Sequence, residues 1–313
     1  MIFLCGIPSE KSLGMVIDAL SEIGAPHFVF HQREFADTRV EFHVDSTGVH
    51  GWIESHGTVY KLDQFTAVFT RLMDYRLLPE IEKEPADSPM RFHCAGVHDT
   101  LMRWYEIMPG LVLNRDSEIG VNYSKPYQAQ LIKQQGFDVP ETLITNDPDL
   151  VRAFRREHGA IVYKSISYVR SIVRKVEDRD LDRLESVRTC PTQFQRYIAG
   201  PNLRVHTVGG QAFATAITSQ ATDYRYAYLE GEDERLEATV ISPDLEQRCV
   251  ALSQALRLGF AGIDLKLGDD GKVYCLEVNP CPAFSYYQLH TGQPIALAVA
   301  RYLTESLNGE PRC

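Results

Sequence analysis

The stretch AGIDLKLGDDGKVYCLEVNP, residues 261–280, decides the fold of the C-terminal part of the chain. It consists of two strand-like runs separated by Asp270-Gly271, and Asp-Gly between alternating apolar residues is the strongest local signal for a β-hairpin with a two-residue turn. A turn at those positions leaves one face of the hairpin apolar, which fixes the register. The residue pairs predicted in this way are Gly262–Asn279, Ile263–Val278, Asp264–Glu277, Leu265–Leu276, Lys266–Cys275 and Leu267–Tyr274.

The polar face of this hairpin predicts a metal site. Asp264 and Glu277 lie directly opposite each other on adjacent strands, where like charges repel. Asn279 points to the same side and adds a neutral oxygen beside Gly262, which has no side chain. Mg²⁺ binds one or two carboxylates and completes its shell with water and phosphate oxygens, so these three side chains suit it. The alternative is that Lys266, or an arginine from elsewhere in the chain, neutralises the two carboxylates.

The composition is that of an ordinary globular protein. The chain has 313 residues, which predicts more than one domain and a large buried core. A hydrophobic fraction of 44% and a charged fraction of 24% exclude a disordered chain or a fibre. The formal net charge is −10, and a chain this acidic is a poor general nucleic-acid binder, because such proteins neutralise phosphates with Lys and Arg.

The same composition argues against a membrane protein and a secreted protein. No apolar run reaches the roughly 18–20 residues that span a bilayer, and the apolar start of the chain is too short for a signal peptide. The seven cysteines are odd in number and form no C-x-x-C pair, which argues against a disulfide framework and a structural zinc site. We therefore expect a protein of the reducing cytoplasm.

Three modules are predicted along the chain, covering residues 1–113, 114–199 and 200–313. The first alternates strand-like and helix-like runs, as an open α/β sheet does, and its segment Glu80–Pro89 is predicted to be a surface loop. Residues 151–190 contain ten Lys or Arg against six Asp or Glu, so this part either meets an anion or carries a solvated, charged helix face. Neither G-x-G-x-x-G nor G-x-x-x-x-G-K-[ST] occurs, which excludes the dinucleotide fingerprint and the P-loop.

Segments upstream of the hairpin complete a recognisable pattern. The chain resembles an ATP-grasp ligase of the RimK-like branch, which includes ligases that crosslink microviridin-type peptides and ligases that add amino acids to carboxylates. The resemblance covers roughly residues 114–305. It implies an α/β fold in which an open-sheet pre-ATP-grasp N-terminal domain precedes a two-lobed (α+β) ATP-grasp that holds ATP between its lobes. The segments that carry it are Ser124-Lys125-Pro126, Val162-Tyr163-Lys164, Gln195–Ile198, Asn202–Val205, Asp223-Tyr224-Arg225, Gly262–Leu265 and Leu276–Pro280.

The resemblance also implies which residues bind ATP. Lys125 and Lys164 are expected to reach the phosphates, for which a lysine supplies a point charge. Asn202 stands where relatives usually carry an acidic residue for the ribose hydroxyls, and its amide can still accept a hydrogen bond. The segment expected to hold adenine by its backbone consists of Gln195, Arg196, Tyr197 and Ile198. The alternative is that these residues form an ordinary buried strand.

Two arginines are expected to be catalytic. Arg204 and Arg225 match family arginines that face the transferred phosphate and the acyl phosphate, and the planar arginine fork suits phosphate oxygens. Arg225 has an alternative partner in its neighbour Asp223. Many relatives lay a Gly-rich loop over the phosphates after the second lysine. The corresponding segment 165–171 contains no glycine, so we expect a lid there with a less permissive backbone.

Three further polar residues have open interpretations. Arg71 ends a predicted strand and meets either a substrate carboxylate or a surface salt bridge. His206 alternates with Arg204 on one strand, so it either borders the substrate or is a core histidine. Cys281 lies beside the predicted metal loop, and because the sequence shows no activating base near it we expect it to be inert.

The resemblance implies an ATP-dependent ligase that joins a carboxylate to an amine, or to a hydroxyl, through an acyl phosphate and releases ADP and phosphate. The cofactors implied are ATP and Mg²⁺, with Mn²⁺ as a substitute. The partners expected are a small-molecule or peptide carboxylate and an amine nucleophile, without nucleic acid or membrane. The assembly expected is a homo-oligomer. The alternatives are an ATP-grasp kinase that phosphorylates a small molecule and a nucleotide-binding scaffold without turnover.

Overall fold

The computed structural model describes residues 1–165, 173–219 and 233–305, with the backbone alone at 121–122. It confirms the mixed α/β class, since its described residues form four sheets with helices packed between and around them. Among the described helices, none combines the length and apolarity needed to cross a bilayer. The module boundaries after residues 113 and 199 stay a prediction.

The N-terminal part contains a parallel sheet and a separate antiparallel one. The parallel sheet has the strand order β2-β1-β6-β7, and β3, β4 and β5 form the antiparallel sheet. The elements are β1 (Ile2–Gly6), α1 (Lys11–Glu22), β2 (His27–His31), β3 (Thr38–Asp45), β4 (Gly48–Ser55), β5 (Thr58–Lys61), β6 (Ala67–Thr70), α2 (Pro79–Glu82), α3 (Pro89–Ile107) and β7 (Leu111–Leu113).

Helices α2 and α3 correct one prediction in this part of the chain. The segment Glu80–Pro89 is not simply a loop, because α2 includes its first residues and α3 begins at its last. Ser88 caps α3 by accepting a hydrogen bond from the Arg91 amide, and Pro89 occupies the first helical turn, where it costs no hydrogen bond. Trp104 of α3 packs edge-on against Phe3 of β1, so this helix covers one face of the parallel sheet.

The second part forms an antiparallel sheet with the strand order β10-β9-β11-β8. The sequence predicts that helix α6 begins at Asn146 as cap with Pro148 in its first turn. Pro148 does lie in the first turn, but the cap is Asp147. The elements are α4 (Asp116–Ile119), α5 (Lys125–Gln134), β8 (Thr142–Thr145), α6 (Pro148–His158), β9 (Ile161–Lys164), β10 (Arg174–Lys175), α7 (Asp178–Leu181) and β11 (Thr192–Arg196).

The third part is a five-stranded antiparallel sheet with the order β14-β13-β12-β15-β16. Its described elements are β12 (Asn202–Val208), β13 (Gln211–Ser219), β14 (Glu234–Thr239), α8 (Pro243–Ala255), β15 (Phe260–Leu267), β16 (Val273–Asn279), α9 (Ser285–Thr291) and α10 (Ile295–Glu305). Strand β15 is paired with β12 on one edge and with β16 on the other. Side chains of these three strands therefore lie next to one another on each face of the sheet.

The β15–β16 hairpin has the predicted register at one end and a different one at the other. The pairs Gly262–Asn279, Ile263–Val278 and Asp264–Glu277 are confirmed. Beyond them a β-bulge shifts the pairing by one residue, so the other three predicted pairs are wrong. The observed pairs there are Leu265–Cys275, Lys266–Tyr274 and Leu267–Val273.

The bulge has its origin in the turn, which is longer than the two residues predicted. Residues 268–272 form the turn, with the Gly268 amide bonded to the Lys272 carbonyl and the Gly271 amide to the Gly268 carbonyl. The extra residue on β16 that restores the register is Leu276. Because a bulge reorients the side chains around it, Cys275 replaces Leu276 in the buried core and Leu276 faces the cleft described below.

A hydrophobic cluster joins the N-terminal sheet to the C-terminal part of the chain. Ile2, Leu4 and Phe69 of the parallel sheet belong to the same buried cluster as Phe260 of β15 and residues of α10. Asn114 adds a polar link, since its side-chain amide donates to the Phe260 and Pro280 carbonyls at 2.6 Å each. Residues 1–113 and 200–305 are therefore packed against each other through a common core.

Candidate active site

A cleft of about 750 Å³ lies between the β8–β11 sheet and the β12–β16 sheet. Eight of the residues predicted to bind ATP or metal line it, so sequence positions far apart in the chain meet here. These residues are Lys164, Gln195, Arg196, Tyr197, Ile198, Asn202, Asp264 and Glu277. The remaining lining residues are mostly apolar and comprise Pro140, Val162, Val173, Leu203, Leu265, Lys266 and Leu276.

The segment predicted to hold adenine, residues 195–198, lies in the cleft wall and includes the last two residues of β11. The Gln195 side chain donates to the Thr142 hydroxyl, and the Arg196 guanidinium binds Glu141 and the Tyr274 hydroxyl, so both side chains are held by the protein itself. Ile198 is buried and contributes apolar surface. The ring of Tyr197 has the ammonium groups of Lys175 and Lys266 at 4.7 and 5.3 Å from its centroid. The apolar surface of this segment suits a flat, apolar ligand.

Asp264 and Glu277 face each other from β15 and β16, as predicted, and two cationic side chains contact them. The Lys125 ammonium donates to Glu277 Oε2 at 2.8 Å, and Arg204 Nη1 lies 2.8 Å from Asp264 Oδ2. An arginine from another strand therefore does neutralise one carboxylate, as the alternative interpretation held. Lys266 does not take this role, because its ammonium donates to the Gly200 carbonyl, and burial lowers its pKa.

The donor set still fits a magnesium ion. Two carboxylates and the Asn279 amide oxygen, which also accepts a hydrogen bond from the Cys281 amide, are hard oxygen ligands at the same end of one hairpin. Among the described residues, no group of three or more His, Cys, Asp or Glu side chains is placed to hold a metal ion. Lys125 and Arg204 are the very residues that the resemblance assigns to phosphate, so the same cations can serve phosphate oxygens when ATP binds.

Gly262 makes room for Arg204 beside the carboxylates. A Cβ atom at residue 262 would lie 2.0 Å from Arg204 Nη2 and 2.8 Å from Pro282 Cβ. Because Gly262 has no side chain, the Arg204 guanidinium crosses over it from β12 and reaches Asp264 on β15. The sequence predicts that Gly262 leaves open space for a metal, but Arg204 occupies that space.

The other phosphate-binding candidates lie on separate elements. Lys164 ends β9, is 6% exposed, and lines the cleft on the side of the β8–β11 sheet. Asn202 begins β12 and lines the cleft next to Leu203. Arg225 and all of the glycine-free segment 165–171 except Ser165 lie outside the described residues.

Two of the residues with open interpretations, His206 and Arg71, have largely buried side chains. His206 is fully buried next to Arg204, whose Nε donates to His206 Nε2 at 3.4 Å. The Nδ1 atom of His206 has no hydrogen-bond partner among the described residues. Arg71 is also largely buried, and its contacts are described below. His206 is therefore the core histidine of its two alternatives. Arg71 forms a salt bridge, with Glu10, but its side chain is largely buried and not at the surface.

His206 should make stability sensitive to acid. Burial, together with the Arg204 guanidinium, holds the pKa of His206 well below its ordinary value, so the folded protein keeps this ring neutral. Below about pH 6.5 the unfolded chain takes up a proton that the folded chain refuses, and the free energy of unfolding falls by up to about 1.4 kcal/mol per pH unit. We expect His206→Gln to lose this component, so that urea unfolding at pH 7.0 and 5.5 shows a smaller acid-induced loss than in the wild type. The same substitution at the exposed His43 is the control, and an equal acid-induced loss in wild type and His206→Gln would contradict the prediction.

Several known proteins are similar to this chain in sequence and in fold. A probable α-L-glutamate ligase of Pseudoalteromonas translucida is 23% identical over 222 residues, which cover 67% of this chain and 73% of that protein. The ATP-grasp ligase PsnB, solved with a minimal precursor, Mg and ADP, is 27% identical with a TM-score of 0.79, covering 97% of this chain and 96% of PsnB. The macrocyclase MdnC of Microcystis aeruginosa MRC, solved with its precursor peptide MdnA, is 25% identical with a TM-score of 0.79, covering 98% of this chain and 100% of MdnC.

The family match covers the cleft and both sheets that form it. Residues 124–303, which are more than half of the chain, match the RimK-like ATP-grasp domain. This range contains both lysines, the adenine segment, Arg204 and the facing carboxylates. The chain belongs to the RimK-like ATP-grasp family.

Proposed function

We propose that this protein is an ATP-dependent ligase that joins a carboxylate of a peptide to an amine or a hydroxyl, releasing ADP and phosphate. One observation carries the proposal: Asp264 and Glu277 face each other in a cleft, each in contact with a cation that can also bind phosphate. The ligase class is supported by the family and by relatives that are named ligases. The residue assignments below are our own.

The reaction we propose has two balanced steps. A carboxylate oxygen of the substrate attacks the γ-phosphorus of ATP, and the bond to the β-phosphate oxygen breaks, giving an acyl phosphate and ADP. An amine or hydroxyl then attacks the acyl carbon, loses a proton, and expels inorganic phosphate. The cations supply fixed positive charge where negative charge moves, and a cleft with apolar walls makes such charges more effective than they are in water.

Each charged side chain has one task in this proposal. Lys125 and Lys164 bind phosphate oxygens as point charges, and Arg204 pairs with the transferred phosphate through its planar fork. Arg225 keeps its predicted role at the acyl phosphate. Asp264, Glu277 and Asn279 hold Mg²⁺, or Mn²⁺ in its place. When bound, Mg²⁺ would supply positive charge that offsets the negative charge of the phosphates during transfer.

The N-terminal 113 residues favour a peptide over a free amino acid as the acid. PsnB and MdnC match nearly all of this chain in structure, including the N-terminal sheets. Both structures contain a precursor peptide. We infer that the N-terminal part, packed against the catalytic sheet, serves a peptide substrate here too. We also propose a cytoplasmic location, where ATP is available, and keep the homo-oligomer as a prediction.

A paired assay tests this function. The protein is incubated with Mg²⁺ and ATP and with two sets of acids: free glutamate with amino acids, and acidic peptides encoded by short open reading frames beside its gene. We expect phosphate release with a peptide, and a product lighter by one water for each amide or ester formed. Release of ADP with a phosphorylated acid, and no coupled product when an amine is present, would establish the kinase instead. Turnover of free amino acids alone would overturn the peptide assignment.

A further inference from the structure

Arg71 connects the N-terminal sheet to the loop that follows the metal-binding strand. It lies directly after β6, where its amide donates to the Cys5 carbonyl, and only 11% of its side chain is exposed. One side of the guanidinium donates to Glu10 through Nε at 3.3 Å and Nη2 at 3.1 Å. Its Nη1 donates to the Cys281 carbonyl at 3.3 Å and to the Pro282 carbonyl at 3.1 Å, and it contacts Cys281 Sγ at 3.2 Å.

Glu10 is in turn fixed by the first helix. Its Oε2 accepts a hydrogen bond from the Leu13 amide at 2.8 Å, which caps α1. Burial by itself would raise the pKa of Glu10, but the Arg71 charge and the Leu13 amide outweigh it and bring the pKa below its ordinary value. The carboxylate therefore stays ionised at neutral pH and holds the guanidinium in one orientation.

The loop held by Arg71 begins at a predicted metal ligand. The Cys281 amide donates to Asn279 Oδ1 at 3.0 Å, so the position of residue 281 sets the orientation of the Asn279 side chain. Prolines at 280 and 282 remove two backbone donors from the loop, which leaves its carbonyl groups as the main points at which the protein can hold it. Arg71 takes the carbonyls of residues 281 and 282, and Asn114 takes that of residue 280.

We propose that Arg71 is a positioning residue for the metal site, which holds the 280–282 loop so that Asn279 presents its oxygen beside Asp264 and Glu277. The proposal rests on the metal site of the proposed function. Arg71 does not touch substrate or metal in this role; it acts through Cys281 and Asn279. A guanidinium suits the task because one planar group binds a carboxylate on one side and carbonyls on the other, which a single ammonium cannot do. The N-terminal sheet thereby contributes to the chemistry of a cleft formed by the other two sheets.

Two measurements test this role, and neither needs turnover. In the first, hydrogen exchange of the segment 279–285 is followed by mass spectrometry in the ligand-free protein. We expect faster exchange at the Cys281 amide in Arg71→Met. In the second, Mn²⁺ binding in the presence of ADP is titrated by electron paramagnetic resonance. Because substitutions of groups that orient metal ligands weaken metal binding 10- to 100-fold, we expect about tenfold weaker Mn²⁺ binding in Arg71→Met and an intermediate loss in Arg71→Lys.

Two further variants separate the possible outcomes. Arg33→Met removes an exposed arginine that pairs with Glu80 in the same N-terminal part and should change neither measurement. Glu10→Gln/Arg71→Met removes the carboxylate that would otherwise be left unpaired, and it should still show fast exchange and weak Mn²⁺ binding. Wild-type exchange and wild-type Mn²⁺ affinity in Arg71→Met would overturn the proposal. Failure of the wild-type protein to bind Mn²⁺ with ADP would instead overturn the metal site itself.

Discussion

Glu277→Gln is expected to abolish ligation, lowering kcat by about a thousandfold, which corresponds to about 4 kcal/mol of lost transition-state stabilisation. The substitution keeps the size of the side chain and one oxygen but removes the negative charge opposite Asp264. A divalent cation would then have one carboxylate instead of two in its protein shell. The Lys125 ammonium, 2.8 Å from Glu277 Oε2, would also lose its anionic partner beside the phosphate site. Phosphate release with the coupled substrates measures the effect.

Glu185→Gln is the matched control for this substitution. Glu185 is exposed and forms ion pairs with arginines at the surface, so the same change in charge should leave kcat unchanged. A melting temperature equal to that of the wild type in both variants would show that the loss of activity is not a loss of fold. Undiminished phosphate release in Glu277→Gln would contradict the metal-binding role of Glu277, whereas a wild-type protein that binds ATP but releases no phosphate would be the nucleotide-binding scaffold.

Arg204→Met is expected to lower kcat by a factor of 10² to 10³, which is the effect of removing one fixed donor from a charge-stabilising site. The guanidinium is almost fully buried, lies on Asp264, and stacks near the Tyr287 ring at 5.6 Å. Arg204→Lys keeps the charge but not the planar fork, so we expect it to recover part of the activity. Steady-state kinetics at saturating ATP separate this loss in kcat from any change in KM.

Arg235→Met provides the comparison in the same sheet. Arg235 lies on β14, is exposed, and pairs with Glu237, so its loss should change kcat less than twofold. Because Arg204 is buried, the variant Arg204→Met/Asp264→Asn tests whether an unpaired carboxylate destabilises the single variant. Wild-type kcat in a folded Arg204→Met protein would remove Arg204 from the mechanism.

The local part of the site was predictable because it depends on alternation along two strands. The face-to-face placement of Asp264 and Glu277 follows from the side-chain period of β-strands and is found in the structure. The turn was predicted too short, because Asp-Gly is typical of two-residue turns. Here Asp270 instead accepts a hydrogen bond from the Tyr274 hydroxyl within a longer turn. The bulge at Leu276 shifts the strand register by one residue, which offsets the effect of the longer turn. The predicted pair Asp264–Glu277 is therefore found although the predicted turn is not.

Helix α3 shows a signal that was present in the sequence and was not used. Its buried residues Cys94, Val97, Leu101, Trp104 and Tyr105 recur at three- and four-residue spacing, which is typical of an amphipathic helix. The Pro- and Glu-rich segment before it predicted a loop, and the pattern after Ser88-Pro89 was missed. A capping serine followed by proline is a helix start signal, and it would have located this helix.

The contacts between distant segments were not predictable from local pattern. Lys125 and Glu277 meet across 152 residues of sequence, and Arg71 and Cys281 across 210. No period or turn motif encodes such pairs. The family resemblance implies that Lys125 binds phosphate and Glu277 binds metal, but it does not predict their contact. The family match to residues 124–303 confirms the resemblance. Arg71 lies outside that range, so its contact became visible only in the folded chain.

The cluster that joins the N-terminal sheet to α10 limits how this enzyme can be recombined with its relatives. Ile2, Leu4 and Phe69 pack with Val299 and Leu303, which are more than two hundred residues away in sequence. A chimera that takes its first 113 residues from another ligase would therefore place foreign side chains against Ile295–Glu305. Successful exchange of substrate range by grafting requires that helix α10 be exchanged together with the first 113 residues, because the two segments pack in one cluster.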